Sequence, residues 1–119
     1  MSAPLPHIDL KPEHWHEVSR ILQQHLPEFD VWAFGSRVTW TAKSYSDLDL
    51  AVITSAPLSL QRLAQIKEAF DESDLPFRVD IVDWVATGEP FRQTIERDKR
   101  VVQIGAAEQQ PAGRTSGRA

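Results

Sequence analysis

The 119-residue chain contains no cysteine, which excludes disulfides, thiolate zinc sites and cysteine nucleophiles together. Long apolar runs are missing as well. The longest, Val31 to Phe34 and Leu50 to Ile53, hold four residues each, far short of the roughly 20 that a membrane-spanning helix needs. Positive charge is in deficit: 13 Lys and Arg stand against 17 Asp and Glu, a net charge of -4. A protein that grips nucleic acid by its phosphates carries a basic surface, so no direct nucleic-acid binding is expected, and no membrane partner. The opening MSAPLPHIDLKPEHW has neither a basic start nor an apolar stretch and is not expected to act as a signal peptide. What is present, 41% hydrophobic and 25% charged residues, is the balance of one soluble cytoplasmic domain.

Composition changes at Gly105. Residues 105–119, GAAEQQPAGRTSGRA, hold three of the five glycines and no aliphatic side chain larger than alanine. Such a segment cannot offset the entropy of ordering it, so a flexible tail is expected over 105–119 and a folded body over 1–104. Within the body, Pro12 opens a helical pattern with Trp15, Val18, Leu22 and Leu26 near one face, closed by Pro27. Val31 to Phe34 reads as a short buried strand ending at Gly35-Ser36. Asp47 to Thr54 alternates acid and apolar residues with period two, the mark of a strand with one apolar face. A helix comes next with Leu60, Leu63, Ile66 and Phe70 inward, then a strand over Phe77 to Trp84. A last helix spans Glu89 to Arg100, with Val101 and Val102 packing after it. The order α-β-β-α-β-α predicts an α/β (α+β) domain, a small mixed sheet backed by helices.

One constellation carries chemistry: Gly35-Ser36, ten residues, Asp47-Leu48-Asp49, and Asp80 on the next strand. Aspartates at i and i+2 on a strand share a face about 7 Å apart. They repel one another unless a cation intervenes, and Mg²⁺ takes one or two carboxylates plus phosphate oxygens. A third carboxylate from an adjacent strand allows two Mg²⁺ ions to clamp the attacking and leaving oxygens of a phosphoryl transfer. Gly35 permits a sharp turn, and Ser36 offers its N–H and hydroxyl to phosphate oxygens. The set suits attack on an α-phosphate with pyrophosphate leaving. Asp80 and Asp83 both lie on the last strand, but Leu48, Leu50 and Val52 should face the helices, as should Val79 and Ile81. Parity therefore favours Asp80 over Asp83 as the partner of Asp47 and Asp49, although Asp83 could still reach around the strand end.

The spacing Gly35-Ser36-x10-Asp47-x-Asp49 resembles the signature of the DNA polymerase β nucleotidyltransferase superfamily. More narrowly, AFGSR, SDLDLAV and LPFRVDIVDW together resemble the minimal nucleotidyltransferases (MNT), antitoxins paired with helical HEPN toxins. The resemblance runs from about Trp32 to Gln103. It implies the polymerase β-type fold, with Asp47, Asp49 and Asp80 as catalytic residues and Mg²⁺ ligands and Gly35-Ser36 holding the triphosphate. It also implies transfer of AMP from ATP to a tyrosine of the toxin. Arg37, with Lys43, is a further candidate for neutralising the triphosphate. Trp40 stands where that family often has glycine, and an indole there would narrow the phosphate loop, cover the nucleotide or touch the partner. Two rival functions stay in view: a binding module that neutralises the toxin by occlusion, and a small-molecule transferase of the aminoglycoside-modifying kind. The latter generally needs an added helical domain for its acceptor.

Other features read as structural. His14 and His16 are two apart on a helix and so point to different faces, which argues against zinc. Trp15, Trp32 and Trp84 sit at core-like positions, and the acids Glu68, Asp71, Glu72 and Asp74 read as a solvated helix end.

Overall fold

Along β2 (Leu48–Ile53), Leu48, Leu50 and Val52 alternate with Asp49, Ala51 and Ile53, and that alternation divides the molecule. The first set is fully buried under two helices, α1 (Pro12–His25) and α3 (Leu60–Asp71), and joins Val18, Leu22, Ile66 and Phe70 in the main core. The second set faces the other way. The computed structural model describes residues 4–106.

Four strands form one sheet in the order β3-β2-β1-β4, with β1 spanning Asp30–Phe34, β3 Val79–Asp83 and β4 Arg100–Gln103. β1 runs antiparallel to both β2 and β4, whereas β2 and β3 are parallel. A parallel pair needs a crossover, and α3 supplies it. Ser59 caps that helix, its hydroxyl accepting from the Arg62 amide at 3.1 Å. The expected mixed sheet backed by helices is therefore present.

Some details depart from expectation. Arg100–Gln103 is a strand rather than packing residues after a helix, and it occupies one edge of the sheet. A four-residue helix, α2 (Ser36–Thr39), comes directly after β1. Trp84 lies in a single 3₁₀ turn beyond β3. Leu60, expected inward, is 85% exposed, because it opens the first turn of α3 before that helix reaches the sheet.

The other side of the sheet is only partly closed. α4 (Glu89–Asp98) crosses it, burying Ile95 against Phe34 and Ala51 with Trp32, Ile53, Val82 and Trp84 around them. This second, smaller apolar cluster ends where the aspartates begin. At the C-terminal end the body reaches past Ile104: the Gly105 amide donates to Asp30 Oδ1 at 2.7 Å, and the Ala106 amide to the Pro27 carbonyl at 2.8 Å. A Cβ on Gly105 would run into the backbone of Glu28 and Phe29. The first two residues of the expected tail thus belong to the body, and residues 107–119 lie outside the described residues.

Candidate active site

β1 ends at Phe34 because Gly35 turns the chain with φ +84°, a region open to glycine and strained for other residues. The turn brings Gly35 against β2. A Cβ there would overlap Oδ2 of Asp49 and approach its Cγ to 3.3 Å, so the missing side chain is what lets the carboxylate occupy its place. Beyond the turn, the Val38 and Thr39 amides donate to the Gly35 carbonyl at 3.0 and 3.1 Å. The amides of Ser36 and Arg37 precede those bonds and fall outside the ladder.

Register places the acids. Asp49 pairs with Asp80 across the parallel β2–β3 ladder and with Phe34 across the antiparallel β1–β2 ladder. Asp80, Asp49 and Phe34 therefore form one row across the end of the sheet, on the side away from α1 and α3. Asp47 lies two residues before Asp49 on the approach to β2. The Asp49 carboxyl is pushed up to about 6, first by burial and then by the negative charges of Asp80 and Asp47. Among the described residues no donor is hydrogen-bonded to it. Among the described residues Asp80 forms one ion pair, with Arg78 at 3.5 Å, and that pair is exposed. The residues are hard oxygen donors with an electrostatic deficit that a divalent cation relieves, which fits Mg²⁺. The described residues alone do not close a cage of three acidic or imidazole side chains around a metal.

Asp83 has other work. Its Oδ1 accepts from the Thr54 hydroxyl and its Oδ2 from the Leu58 amide at 2.8 Å, tying the end of β3 to the segment that leads into α3. Parity thus separates the two aspartates of β3 as expected.

Arg37 lies near enough to Asp47 to feel its charge, but its guanidinium is hydrogen-bonded to the backbone. It is 5% exposed, and its guanidinium is taken up by backbone carbonyls: Nε and Nη2 to Ser46 at 3.0 and 2.8 Å, Nη1 to Asp9 at 2.8 Å, Nη2 also to Ser44 at 3.1 Å. It also lies 4.3 Å from the centre of the Phe77 ring. Burial lowers its pKa, opposed by the charges of Asp9 and Asp47. Successive helical residues diverge by roughly 100°, so the Arg37 side chain points away from that of Ser36, and the guanidinium expected at the triphosphate is engaged by these carbonyls. Arg37 instead anchors the loop that delivers Asp47. Lys43 lines a 480 Å³ cleft with His14 and Tyr45 that none of the three aspartates borders. The His14 ring packs edge-on against Phe77 at 5.6 Å. Trp40 adopts φ +61°, the conformation that favours glycine, and its indole, 52% exposed, lies 5.4 Å from the His7 ring in the N-terminal arm.

Sequence reasoning also passes over Phe34 and Phe91 as neighbours of the site. Phe91, in the first turn of α4, meets Phe34 edge-to-face at 5.6 Å, and Phe34 is the register partner of Asp49. The only signal is the helical spacing of Phe91 and Ile95, which does not say what the helix crosses.

Residues 16–104 match the family model for polymerase beta, nucleotidyltransferase. A probable protein adenylyltransferase MntA from Haemophilus influenzae is 52% identical over 96 residues, spanning 81% of this chain and 84% of that protein. Among solved structures, a chain of a toxin–antitoxin crystal structure with AMP-PNP superposes with a TM-score of 0.63 at 20% identity, over 79% of this chain and 76% of the other. A chain from the complex of a tri-AMPylated Shewanella oneidensis HEPN toxin with its MNT antitoxin gives 0.57 at 17% identity, over 79% and 72%. At those identities the likeness is one of fold.

Proposed function

The chain belongs to the polymerase beta nucleotidyltransferase family, and from that premise we propose that it is an antitoxin that transfers AMP from ATP to a tyrosine of a helical HEPN toxin, silencing it. The observation that carries the reading is the meeting of Gly35 with Asp49: a turn stripped of its Cβ, one residue before Ser36, packs against the carboxylate that pairs with Asp80. The 52% identity to a probable protein adenylyltransferase supports AMP as the group transferred.

In this reading, the Ser36 hydroxyl and the free amides of Ser36 and Arg37 bind the β- and γ-phosphates. Asp47, Asp49 and Asp80 would hold Mg²⁺, two ions in this reading, which would supply charge neutralisation and make the acceptor hydroxyl a better nucleophile. Asp80, at the outer end of the row, orients the attacking hydroxyl and draws off its proton. The tyrosine oxygen bonds to the α-phosphorus, the bond to the bridging oxygen breaks, and pyrophosphate leaves toward Ser36. A protein acceptor is supported by the 52% identity to a probable protein adenylyltransferase, which disfavours the aminoglycoside-type alternative. No helix among the described residues is long and apolar enough to cross a membrane, and we place the reaction in the cytoplasm, where ATP and the toxin are made.

The test is to incubate the protein with ATP, Mg²⁺ and the helical toxin encoded beside it, and weigh the toxin. Increments of one or more adenylates are expected, and they vanish in the double variant Asp47→Asn, Asp49→Asn while the complex survives. If the wild type silences the toxin under all four nucleotides without changing its mass, the occlusion module replaces the enzyme.

A further inference from the structure

The row across the end of the sheet is acidic at one end and aromatic at the other: Asp80, Asp49, then Phe34. Phe34 is buried, but the ring resting on it is not. Phe91 is 45% exposed although Ile95, one turn along the same helix, is fully buried and already closes the core there. Phe91 therefore presents an aromatic face to solvent over Phe34, the register partner of Asp49, without being needed to fill the second cluster.

Resting on the nucleotidyltransferase reading, we propose that the exposed face of Phe91 stacks the nucleobase of the bound nucleoside triphosphate. That reading assigns two of the substituents at the α-phosphorus. The attacking oxygen lies toward Asp80, and pyrophosphate leaves toward Gly35-Ser36. The nucleoside must leave the α-phosphate to the side, over the face of the sheet, where α4 stands as a wall with Ile95 over Ala51. The part of that wall next to the acid row is the Phe34–Phe91 pair.

The chemistry at the ring points to stacking instead of hydrogen-bonded reading of the base edge. The neighbouring Arg92 is turned away, its Nε and Nη2 donating to the Trp84 carbonyl at 3.1 and 2.8 Å and its guanidinium 4.8 Å from the Trp84 ring centre. Stacking on an aromatic side chain is tolerant of base identity, because every base has a π-face, and it grows with ring area. The site should thus favour purines over pyrimidines and discriminate little between adenine and guanine.

The experiment measures equilibrium binding of ATP, GTP, UTP and inorganic tripolyphosphate with Mg²⁺ to the full chain. Wild type should bind ATP and GTP alike and more tightly than UTP. Phe91→Ala should weaken ATP about tenfold and leave tripolyphosphate unchanged; Phe91→Leu, which keeps an apolar contact on Phe34, should melt as the wild type does yet lose most of the same affinity. Phe91→Trp should restore or exceed wild-type ATP binding. Unchanged ATP affinity in Phe91→Ala overturns the assignment, as does an equal loss for ATP and tripolyphosphate in Phe91→Leu, which would make the ring a scaffold. Intact ATP binding with lost transfer to the toxin also overturns it and gives the ring to the acceptor. If the wild type binds neither ATP nor tripolyphosphate, the nucleotidyltransferase reading itself falls.

Discussion

Gly35 and Asp49 occupy each other's space: the place of a Cβ on Gly35 is taken by Oδ2 of Asp49. The Gly35 turn and the Asp49 carboxylate are thus one packing unit, and a single methyl group is enough to separate them. Gly35→Ala is expected to lose transfer by about 10²-fold or more, since displacement of a reacting group by about 1 Å has that effect. It should also lower the melting temperature, because φ +84° is strained for alanine. Pyrophosphate release and a thermal melt check both.

Asp49 gives the protein a pH signature. Its folded pKa of about 6 lies above the ordinary aspartate value of 3.8, so between those values the folded state holds more proton than the unfolded chain. Stability must then fall as pH rises through that window and recover as pH drops. In chelator, Asp49→Asn should abolish this slope and melt higher than wild type at pH 7. With allowance for water at the carboxyl's edge, the gain is on the order of 1–2 kcal/mol, or roughly 5–10 °C. Transfer should be lost in the same variant. Melting curves at pH 5 and 7 decide it; parallel behaviour of the two proteins would mean that the acids do not converge.

Arg37→Lys separates anchoring from phosphate binding. An ammonium cannot reach the carbonyls of Asp9, Ser44 and Ser46 together, so at least two bonds to a charged donor are lost. A destabilisation of about 2–3 kcal/mol is expected. Transfer should fall with it, because the freed loop leads straight into Asp47. If Arg37 held the triphosphate instead, lysine would keep the melting temperature and much of the nucleotide affinity.

The C-terminal boundary is testable by truncation. Ending the chain after Ile104 removes the amide bonds of Gly105 to Asp30 and of Ala106 to Pro27. That should cost about 1–3 kcal/mol and several degrees of melting temperature. Ending it after Ala106 keeps both bonds and should leave the melt near that of the full chain.

Much of this arrangement is legible in the sequence because strand periodicity is strict. Alternation alone puts Asp49 and Asp80 on one side of the sheet and Asp83 on the other, and the register pairs the first two. Features that depend on tertiary context are not legible. RVVQ, four residues separated from a helix by Lys99 alone, has no local signal that it will pair with β1. The direction of Arg37 depends on where a four-residue helix starts. Gly105 reads as the start of a tail because it is as small and apolar-poor as residues 106–119, whereas its role comes from Glu28 and Phe29 pressing on it.

Asp80 and Asp83 lie three positions apart, and that odd number has a consequence for how the gene can change. A one-codon deletion inside β2 or β3 would exchange the inner and outer side chains beyond it, driving carboxylates among Leu50, Val52 and Ile66 and turning leucines out to water. The strands are therefore closed to length variation, and insertions and deletions among relatives should collect in the stretches at 40–46 and 72–77. Two short segments of the reading frame would then absorb nearly all the drift in length between the Gly35 turn and Asp80.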